Sequence, residues 1–431
     1  TLHRKLFFLL ILLLPTQLGL HFWPGWSTVL GIRIDYLSPT IYLTDLVVAA
    51  ILISWLVESK ALNLQGLRAL IFTENFKSKI SSSWLILFVF FYLLLTSLFI
   101  AENQAAALYK LIKLIEFSLL GFYVCKNGFS TTHYALLPIP LLLSSLLAWF
   151  QFIFSRSAGF WIIGERSFDL NSPGIALSEI GGQNYLRPYA TFSHPNVLAG
   201  FLLIGLILLF PRLSNKNLLA PVVFLLTIST LIITFSHSSW LAGFVILAVS
   251  IIPFFKKRVE KIMFFTVAAS LLFSFLLPGL GLETFPPNIA ERAQLSRLAM
   301  TMFSNNPIFG VGLANFIVKI PEYGAIPSVS WWLQPVHNVF LLVLAETGII
   351  GFVFFIRFLL VLIWKFQMSS IRPRAQTKSV QDRNFKFQIA FLVILITGLF
   401  DHYWLTIQQG QLLATIVLGF LFSNSQRSSS S

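Results

Sequence analysis

Long apolar runs recur along the whole chain and are separated by shorter polar connections. Most are close to the length that a helix needs to cross about 30 Å of hydrocarbon, and they lack the alternation of membrane-barrel strands. We therefore predict an all-α polytopic membrane protein, a single integral membrane domain over residues 1–431 with about 12 transmembrane helices. The predicted runs are residues 5–22, 41–57, 83–101, 105–125, 133–154, 195–210, 218–235, 239–254, 262–278, 339–364, 387–400 and 411–422.

Composition excludes a water-soluble globule, because 56% of the residues are hydrophobic and only 11% are charged. The formal net charge is +14, but the basic residues form short clusters between apolar runs, as membrane-orientation signals do. The expected partner is therefore the lipid bilayer and not nucleic acid. Cys125 is the only cysteine, which excludes an internal disulfide and a cysteine-based zinc site. Arg4 and Lys5 precede an apolar run that lacks a small-residue cleavage site, which favours a retained first helix over a signal peptide.

The distribution of lysine and arginine predicts how the chain lies in the membrane. With the N-terminus inside, the long basic connections, 58–82 and 365–386 among them, fall on the cytoplasmic side. The two large connections with few basic residues, 155–194 and 279–338, then face outward together and are expected to cap a cavity. We predict a multi-pass protein of the cytoplasmic (inner) membrane whose site faces outward, carried mainly by the external loop 279–338.

The basic residues on the predicted outer side are nearly all arginines. Arginine is the better ligand for phosphate, because its planar fork makes two parallel hydrogen bonds. Each of these arginines could equally pair with an external carboxylate on a solvated face, so both interpretations stay open. The external cations are Arg33, Arg156, Arg166, Arg187, Arg292, Arg297 and Lys319.

A transferase that works on the outer side has no ATP or nucleotide sugar, so its donor must carry its own leaving group. A glycan linked to a polyprenyl diphosphate meets this requirement. Departure of the diphosphate needs positive charge where negative charge develops, and the sequence contains no Asp-X-Asp pair to hold a metal there. Arginines are therefore the predicted charge source, without a metal or cofactor, and a histidine is the predicted base for the acceptor hydroxyl.

Three blocks of polar residues and glycines stand at the outer ends of apolar runs. They are Arg187-Pro-Tyr-Ala-Thr-Phe-Ser-His-Pro-Asn196, Arg292 with Asn306-Pro-Ile-Phe-Gly-Val-Gly312, and His337-Asn-Val-Phe-Leu341 with Glu346-Thr-Gly-Ile-Ile-Gly351. In this order and at these positions the blocks resemble the O-antigen ligase and Wzy-type polymerase superfamily, enzymes that build polysaccharides of the bacterial cell envelope. The resemblance covers roughly residues 80–422.

The resemblance implies a GT-C-like membrane fold and a metal-independent, inverting glycosyltransferase. Its donor would be a glycan on an undecaprenyl-diphosphate carrier, and its acceptor a hydroxyl of a glycan, lipid or protein. Arg187 and Arg292 would hold the diphosphate, and His337 would act on the acceptor hydroxyl. Asn196 and Asn338 are further candidates for substrate binding, although Asn338 also suits the N-cap of the helix that follows it.

Two positions depart from the family pattern. His237 stands where the superfamily usually has an arginine, and His194 stands where it usually has an asparagine. The first change removes a permanent charge from the expected diphosphate site. Three explanations follow: Arg297 supplies the charge, His237 works in its protonated form, or the chain has an altered activity.

Two alternatives to an O-antigen ligase remain at this stage. A polymerase of polysaccharide repeat units belongs to the same superfamily, and the sequence does not separate it from a ligase. A transporter of polysaccharide or lipid-linked glycan would also suit twelve spans. Transporters usually have repeated halves with polar groups at the membrane midplane, whereas here the polar residues concentrate in two outer loops, which favours an enzyme.

Overall fold

The computed structural model describes residues 1–59, 80–127, 136–210, 219–252, 254, 258–279, 287–324, 333–371 and 378–427 of the chain. Within these ranges the chain forms fifteen helices and three two-stranded antiparallel ribbons. The helices are α1 Leu2–Leu13, α2 Leu43–Glu58, α3 Ile80–Phe99, α4 Gln104–Asn127, α5 Pro138–Phe154, α6 Pro195–Leu209, α7 Leu219–Ile233, α8 His237–Ile251, α9 Val259–Leu276, α10 Pro287–Asn305, α11 Phe316–Tyr323, α12 Val339–Ile371, α13 Lys378–Gly398, α14 Tyr403–Thr406 and α15 Gln408–Arg427. The strands are β1 Gly19–His21, β2 Thr28–Val29, β3 Ile32–Arg33, β4 Thr40–Tyr42, β5 Leu177–Ile180 and β6 Gln183–Leu186.

Each predicted apolar run overlaps one long helix of the structure, in the same order along the chain. By length and apolar composition, Val259–Leu276 and Val339–Trp364 could each cross a bilayer, and the other apolar helices are shorter. The predominantly helical fold is therefore confirmed and agrees with a helical membrane protein. The number of crossings and their orientation stay predictions. Parts of the connections 58–82, 279–338 and 365–386 lie outside the described residues.

Large apolar side chains cover the outward faces of several helices. Leu225 on α7, Phe244 on α8 and Phe265 on α9 are each more exposed than buried. Soluble proteins rarely expose extended apolar patches, whereas lipid chains solvate such side chains favourably. These faces support a bilayer as the surroundings of the bundle.

Two details of the sequence-based prediction were wrong. The first run, predicted as a helix over 5–22, is helical only as far as Leu13, because Pro15 lacks the backbone N–H that a continuing helix needs. The chain then enters β1, which pairs with β4. The connections predicted to be external also contain short strands, which an all-α fold does not include. Gly181 and Gly182 both have positive φ and form the tight turn between β5 and β6.

The helix α6 lies at the centre of the bundle and positions the site. All of its side chains except Ile207 are buried, and it packs against α5, α7, α8, α13 and α15. A helix that is apolar on every side is typical of such a central location. The N-terminal end of α6, at Pro195, is therefore held in place by neighbours on all sides.

The segment 306–316 docks onto α12 at the point where that helix is interrupted by Gly348, which has φ of 60°. Val311 N donates to the Ala345 carbonyl at 2.9 Å. A Cβ atom on Gly310 would lie 2.6 Å from the same carbonyl oxygen, and one on Gly348 would collide with the carbonyl of Ile308. Gly310 and Gly348 are therefore explained by packing, because the backbone of the segment 306–316 and the backbone of α12 are in direct contact there. The predicted external loop 279–338 also contains two helices, α10 and α11, among its described residues.

Candidate active site

A chain of hydrogen bonds joins three polar side chains at the N-terminal end of α6. Arg187 donates from Nη2 to Asn196 Oδ1 at 2.7 Å, and Asn196 donates from Nδ2 to Asp401 Oδ2 at 2.7 Å. Arg187 also donates from Nε to the carbonyl of Thr234 at 2.8 Å. Asp401 is only 4% exposed. The fold therefore links three distant parts of the sequence, residues 187–196, 234 and 401, through hydrogen bonds that end at one buried carboxylate.

His194 caps α6 and so helps to orient Asn196. Its Nδ1 accepts a hydrogen bond from the backbone N–H of Asn196 at 3.1 Å, and Pro195 occupies the first turn, where a missing N–H is tolerated. The N-terminal end of a helix carries a partial positive charge and favours anions nearby. The capped end of α6 thus adds to the positive potential that Arg187 contributes.

His337 and His402 lie beside Asp401, and we name these three residues the acid–histidine cluster. His337 Nδ1 is 3.8 Å from Asp401 Oδ1, and this buried nitrogen has no hydrogen-bond partner among the described residues. The two imidazole rings are 5.1 Å apart between centroids, and His402 Nδ1 bonds with Thr406 Oγ1 at 2.6 Å. A shift of about 1 Å would give His337 a hydrogen bond to Asp401, and such bonds are often long in enzymes without substrate.

The surroundings of Asp401 keep it ionised and keep two of its histidine neighbours neutral. Burial opposes ionisation of Asp401, but the imidazoles of His337, His402 and His194 outweigh it, so its pKa falls well below the ordinary value. Burial lowers the pKa of both His194 and His402 to about 3, against the attraction of Asp401. Both rings are therefore neutral at neutral pH. Burial also lowers the pKa of Arg187 to about 10, which leaves it charged at neutral pH.

Arg292 approaches the cluster from the helix α10. Its Nη1 donates to the carbonyl of Phe400 at 2.8 Å, in the residue before Asp401. The neighbouring Glu291 accepts from Gln334 Nε2 at 2.8 Å, which ties α10 to the segment that leads to His337. The positive charges of Arg187 and Arg292, predicted from the sequence, are therefore both held close to Asp401.

Asn338 has a structural role in this fold. Its Oδ1 accepts from the backbone N–H groups of Phe340 at 2.9 Å and Leu341 at 3.0 Å, so it caps α12. Its Nδ2 donates to Ser274 Oγ at 2.8 Å. Because both polar ends of this buried side chain bind the protein, substrate binding by Asn338 would require these bonds to break.

His237 lies apart from the directly bonded group, and Arg297 lies further along α10 than Arg292. Arg297 follows Arg292 by five residues on α10, which turns it by about 140° around the helix axis. His237 is exposed at the start of α8, with its ring edge-on to Trp240 at 5.4 Å between centroids. Its turn is nevertheless linked to the site, because the Thr234 carbonyl accepts from Arg187. Roles for Arg297 and His237 in substrate binding stay predictions.

The sequence analysis did not identify Asp401 as a site residue. A signal was present, since Asp401 and His402 form an adjacent acid and histidine directly after an apolar run, at its predicted outer end. Their importance depends on His337 and Asn196, which are far away in the sequence. Only the packing of α6, α12 and α13 brings these side chains together.

The sequence contains no Asp-X-Asp pair, but the fold brings one carboxylate and two histidines close together. His337, Asp401 and His402 each offer one ligand atom, and these atoms all lie within 4.8 Å of one another. Two histidines and a carboxylate are a common donor set for divalent metals. Asp401 already accepts hydrogen bonds from Asn196 and from the backbone of His402, so its oxygens are partly engaged. Metal-independent chemistry stays a prediction.

The protein is a helical bundle with apolar outward faces and a polar site of arginine, carboxylate and histidine side chains at one end. These features define its class as a helical membrane-type protein. Residues 222–356 match a family model described as Wzy_C, O-antigen ligase. This match covers about a third of the chain and agrees with the resemblance to the O-antigen ligase and Wzy-type superfamily that the three sequence blocks carry. No curated protein matches the chain. The matched segment contains Arg292 and His337, whereas Arg187 and Asp401 lie outside it.

Proposed function

We propose that this protein is a glycosyltransferase that moves a glycan from a polyprenyl-diphosphate carrier to an acceptor hydroxyl at the outer side of the cytoplasmic membrane. The superfamily implies ligase or polymerase activity on lipid-linked glycans in general. The observation that carries the finer proposal is the buried pairing of His337 with Asp401, which is joined through Asn196 to Arg187. This arrangement combines a candidate base with fixed positive charge.

In this proposal, Arg187 and Arg292 bind the diphosphate of the donor. A guanidinium group has five N–H donors, and Arg187 uses one each for Asn196 and Thr234. The remaining donors, with the N-terminal end of α6, provide hydrogen bonds and positive potential for phosphate oxygens. As the bond from the anomeric carbon to the diphosphate breaks, these charges stabilise the negative charge that develops on the leaving group.

His337 acts as the general base on the acceptor. With Nδ1–H facing Asp401, the other ring nitrogen, Nε2, takes the proton of the acceptor hydroxyl. The acceptor oxygen then bonds to the anomeric carbon from the face opposite the diphosphate, so the configuration inverts, and the carrier diphosphate departs. Asp401 holds the imidazole in this tautomer and stabilises the imidazolium that forms, as the aspartate does in a catalytic triad.

The test is transfer by the purified protein in lipid, with a synthetic polyprenyl-diphosphate glycan as donor. His337→Ala should abolish transfer while the protein still inserts and unfolds at the normal temperature. His21→Ala is a matched control, because this histidine is also on the predicted outer side and, among the described residues, it hydrogen-bonds Thr40 and packs against Trp23 and Tyr42. Normal transfer by His337→Ala would contradict the proposal.

A second experiment separates a ligase from a polymerase. Cells that lack a ligase accumulate polymer on the carrier, whereas cells that lack a polymerase transfer single repeat units. The glycan profile of cells without this protein therefore decides between the two activities. If cells without this protein still polymerise repeat units and still transfer the polymer from the carrier, both proposed activities are contradicted.

A further inference from the structure

Four consecutive large apolar side chains are exposed in the connection between α5 and α6. Phe160, Trp161, Ile162 and Ile163 are 58%, 70%, 66% and 48% exposed, and we name them the apolar turn. A run of exposed apolar residues in an external connection is unfavourable in water and normally indicates a function. The proposed transfer reaction does not use these residues.

The apolar turn is rigidly built. The carboxylate of Glu165, which is buried, accepts from the backbone N–H of Ala158 at 2.7 Å and of Phe160 at 2.6 Å. It also accepts from Gln151 Nε2 at 2.8 Å. Three hydrogen bonds to one buried carboxylate fix the backbone on both sides of the turn. The backbone that carries the exposed side chains is thus held in place, which lowers the entropy lost when the turn binds a surface.

The apolar turn lies at the ends of two helices that were predicted to span the membrane. Thr16 Oγ1 donates to the carbonyl of Ile163 at 2.7 Å, three residues after the end of α1. The turn also begins six residues after the end of α5, at Phe154. A strip of exposed apolar side chains leads along α5 towards this end. The strip consists of Ile139, Leu143, Leu146, Ile153 and Phe154.

We propose that the apolar turn inserts into the outer interface of the bilayer and anchors the external segment 155–194 there. The turn continues the apolar strip of α5, so one lipid surface can cover both. Tryptophan favours the membrane–water interface, and the exposed Arg156 and Arg166 on either side suit the phosphates of lipid headgroups. A bound glycan would instead need polar groups beside the rings, and the four consecutive apolar side chains provide none.

The anchor is mechanically connected to the site. Gln151, whose Nε2 donates to Glu165, accepts with its Oε1 from the backbone N–H of Tyr189 at 2.9 Å and of Ala190 at 2.7 Å. These two residues follow Arg187 closely in the chain. The depth to which the apolar turn inserts into the interface therefore determines the distance between the Arg187 segment and the membrane surface. The anchor itself does not depend on the proposed transfer reaction.

The test measures the depth of the turn in lipid nanodiscs that hold one copy of the full-length protein. In a Cys125→Ala background, Trp161→Cys carries an environment-sensitive fluorophore. Asn184→Cys, at an exposed polar position of the β5–β6 hairpin in the same segment, is the matched solvent control. Phe244→Cys, at the middle of α8, is the reference for the hydrocarbon interior. Quenching is compared between lipids with a nitroxide near the headgroup and lipids with a nitroxide near the chain end.

With the nitroxide near the headgroup, we expect the label at position 161 to be quenched several-fold more strongly than the label at 184. With the nitroxide near the chain end, we expect the label at 161 to be quenched less strongly than the label at 244. Its emission should also shift to the blue when the protein moves from detergent into lipid. Quenching at 161 equal to that at 184 would overturn the proposal. So would cross-linking of two copies of the Trp161→Cys protein in liposomes without nitroxide quenching, because a second copy would then cover the turn.

Discussion

The substitution Asp401→Asn tests the proposed site most directly. Asn has nearly the same shape as Asp but carries no charge, so it removes the electrostatic partner of His337 at almost constant volume. It can accept only one of the two hydrogen bonds that Asp401 receives from Asn196 and from the backbone of His402. The two side chains are 3.8 Å apart between Nδ1 and Oδ1. With an effective dielectric constant of about 20, an imidazolium and a carboxylate at that distance attract each other by about 4 kcal/mol. If this attraction develops fully in the transition state, its loss lowers kcat by roughly a thousandfold.

The assay is steady-state transfer by purified protein, with kcat and KM measured separately for donor and acceptor. We expect kcat to fall and the KM values to change little, because the imidazolium exists only once the proton has moved. Asp169→Asn is the control, since Asp169 is an exposed aspartate on the same predicted side. Thermal unfolding and membrane insertion must remain close to those of the unmodified protein. An Asp401→Asn protein with unchanged kcat would refute the role given to Asp401.

Three further predictions follow from the surroundings of the site. The pKa of His194 is lowered to about 3 in the folded protein and is about 6.5 when unfolded, so the unfolded chain binds the extra proton first. Stability should therefore fall by up to about 1.4 kcal/mol per pH unit between those values as pH decreases. His194→Asn, which can keep the helix cap, should reduce the slope of a pH series of thermal unfolding and leave the part that His402 contributes. An unchanged slope would count against this assignment. Activity should survive exhaustive chelation, whereas a loss that a divalent cation restores would show that the acid–histidine cluster holds a metal. If His237 acts as a phosphate-side cation, activity should decline as pH rises and His237→Arg should extend it to higher pH; a harmless His237→Ala would instead direct attention to Arg297.

The resemblance to the superfamily could be recognised because the features that carry it, the apolar runs and the three polar blocks, are continuous segments of the sequence. A helix that crosses hydrocarbon needs a continuous apolar stretch, so the order of the long helices follows from the runs alone. Arg187, Arg292 and His337 could also be predicted as site residues, because each lies in a short sequence block with a recognisable pattern. The end of α1 at Leu13 was predictable in principle from Pro15.

The composition of the site could not be predicted in the same way, because it depends on contacts between residues far apart in the chain. Asn196 and Asp401 are 205 residues apart and bond at 2.7 Å, a contact that requires α6 to lie beside the end of α13. The role of Asn338 as a helix cap could be predicted from the local sequence, but its hydrogen bond to Ser274 could not.

The amino-acid sequence alone thus determined the helical class of this protein, the order of its helices and its resemblance to the superfamily, because apolar length and short motifs are properties of continuous segments. The tertiary structure decided which charged groups meet. It added Asp401 to the site and gave Gly310 and Gly348 their packing role, and it located the apolar turn at the ends of α1 and α5. The physical reason is that helix packing sets these distances, and packing depends on all of the side chains at once.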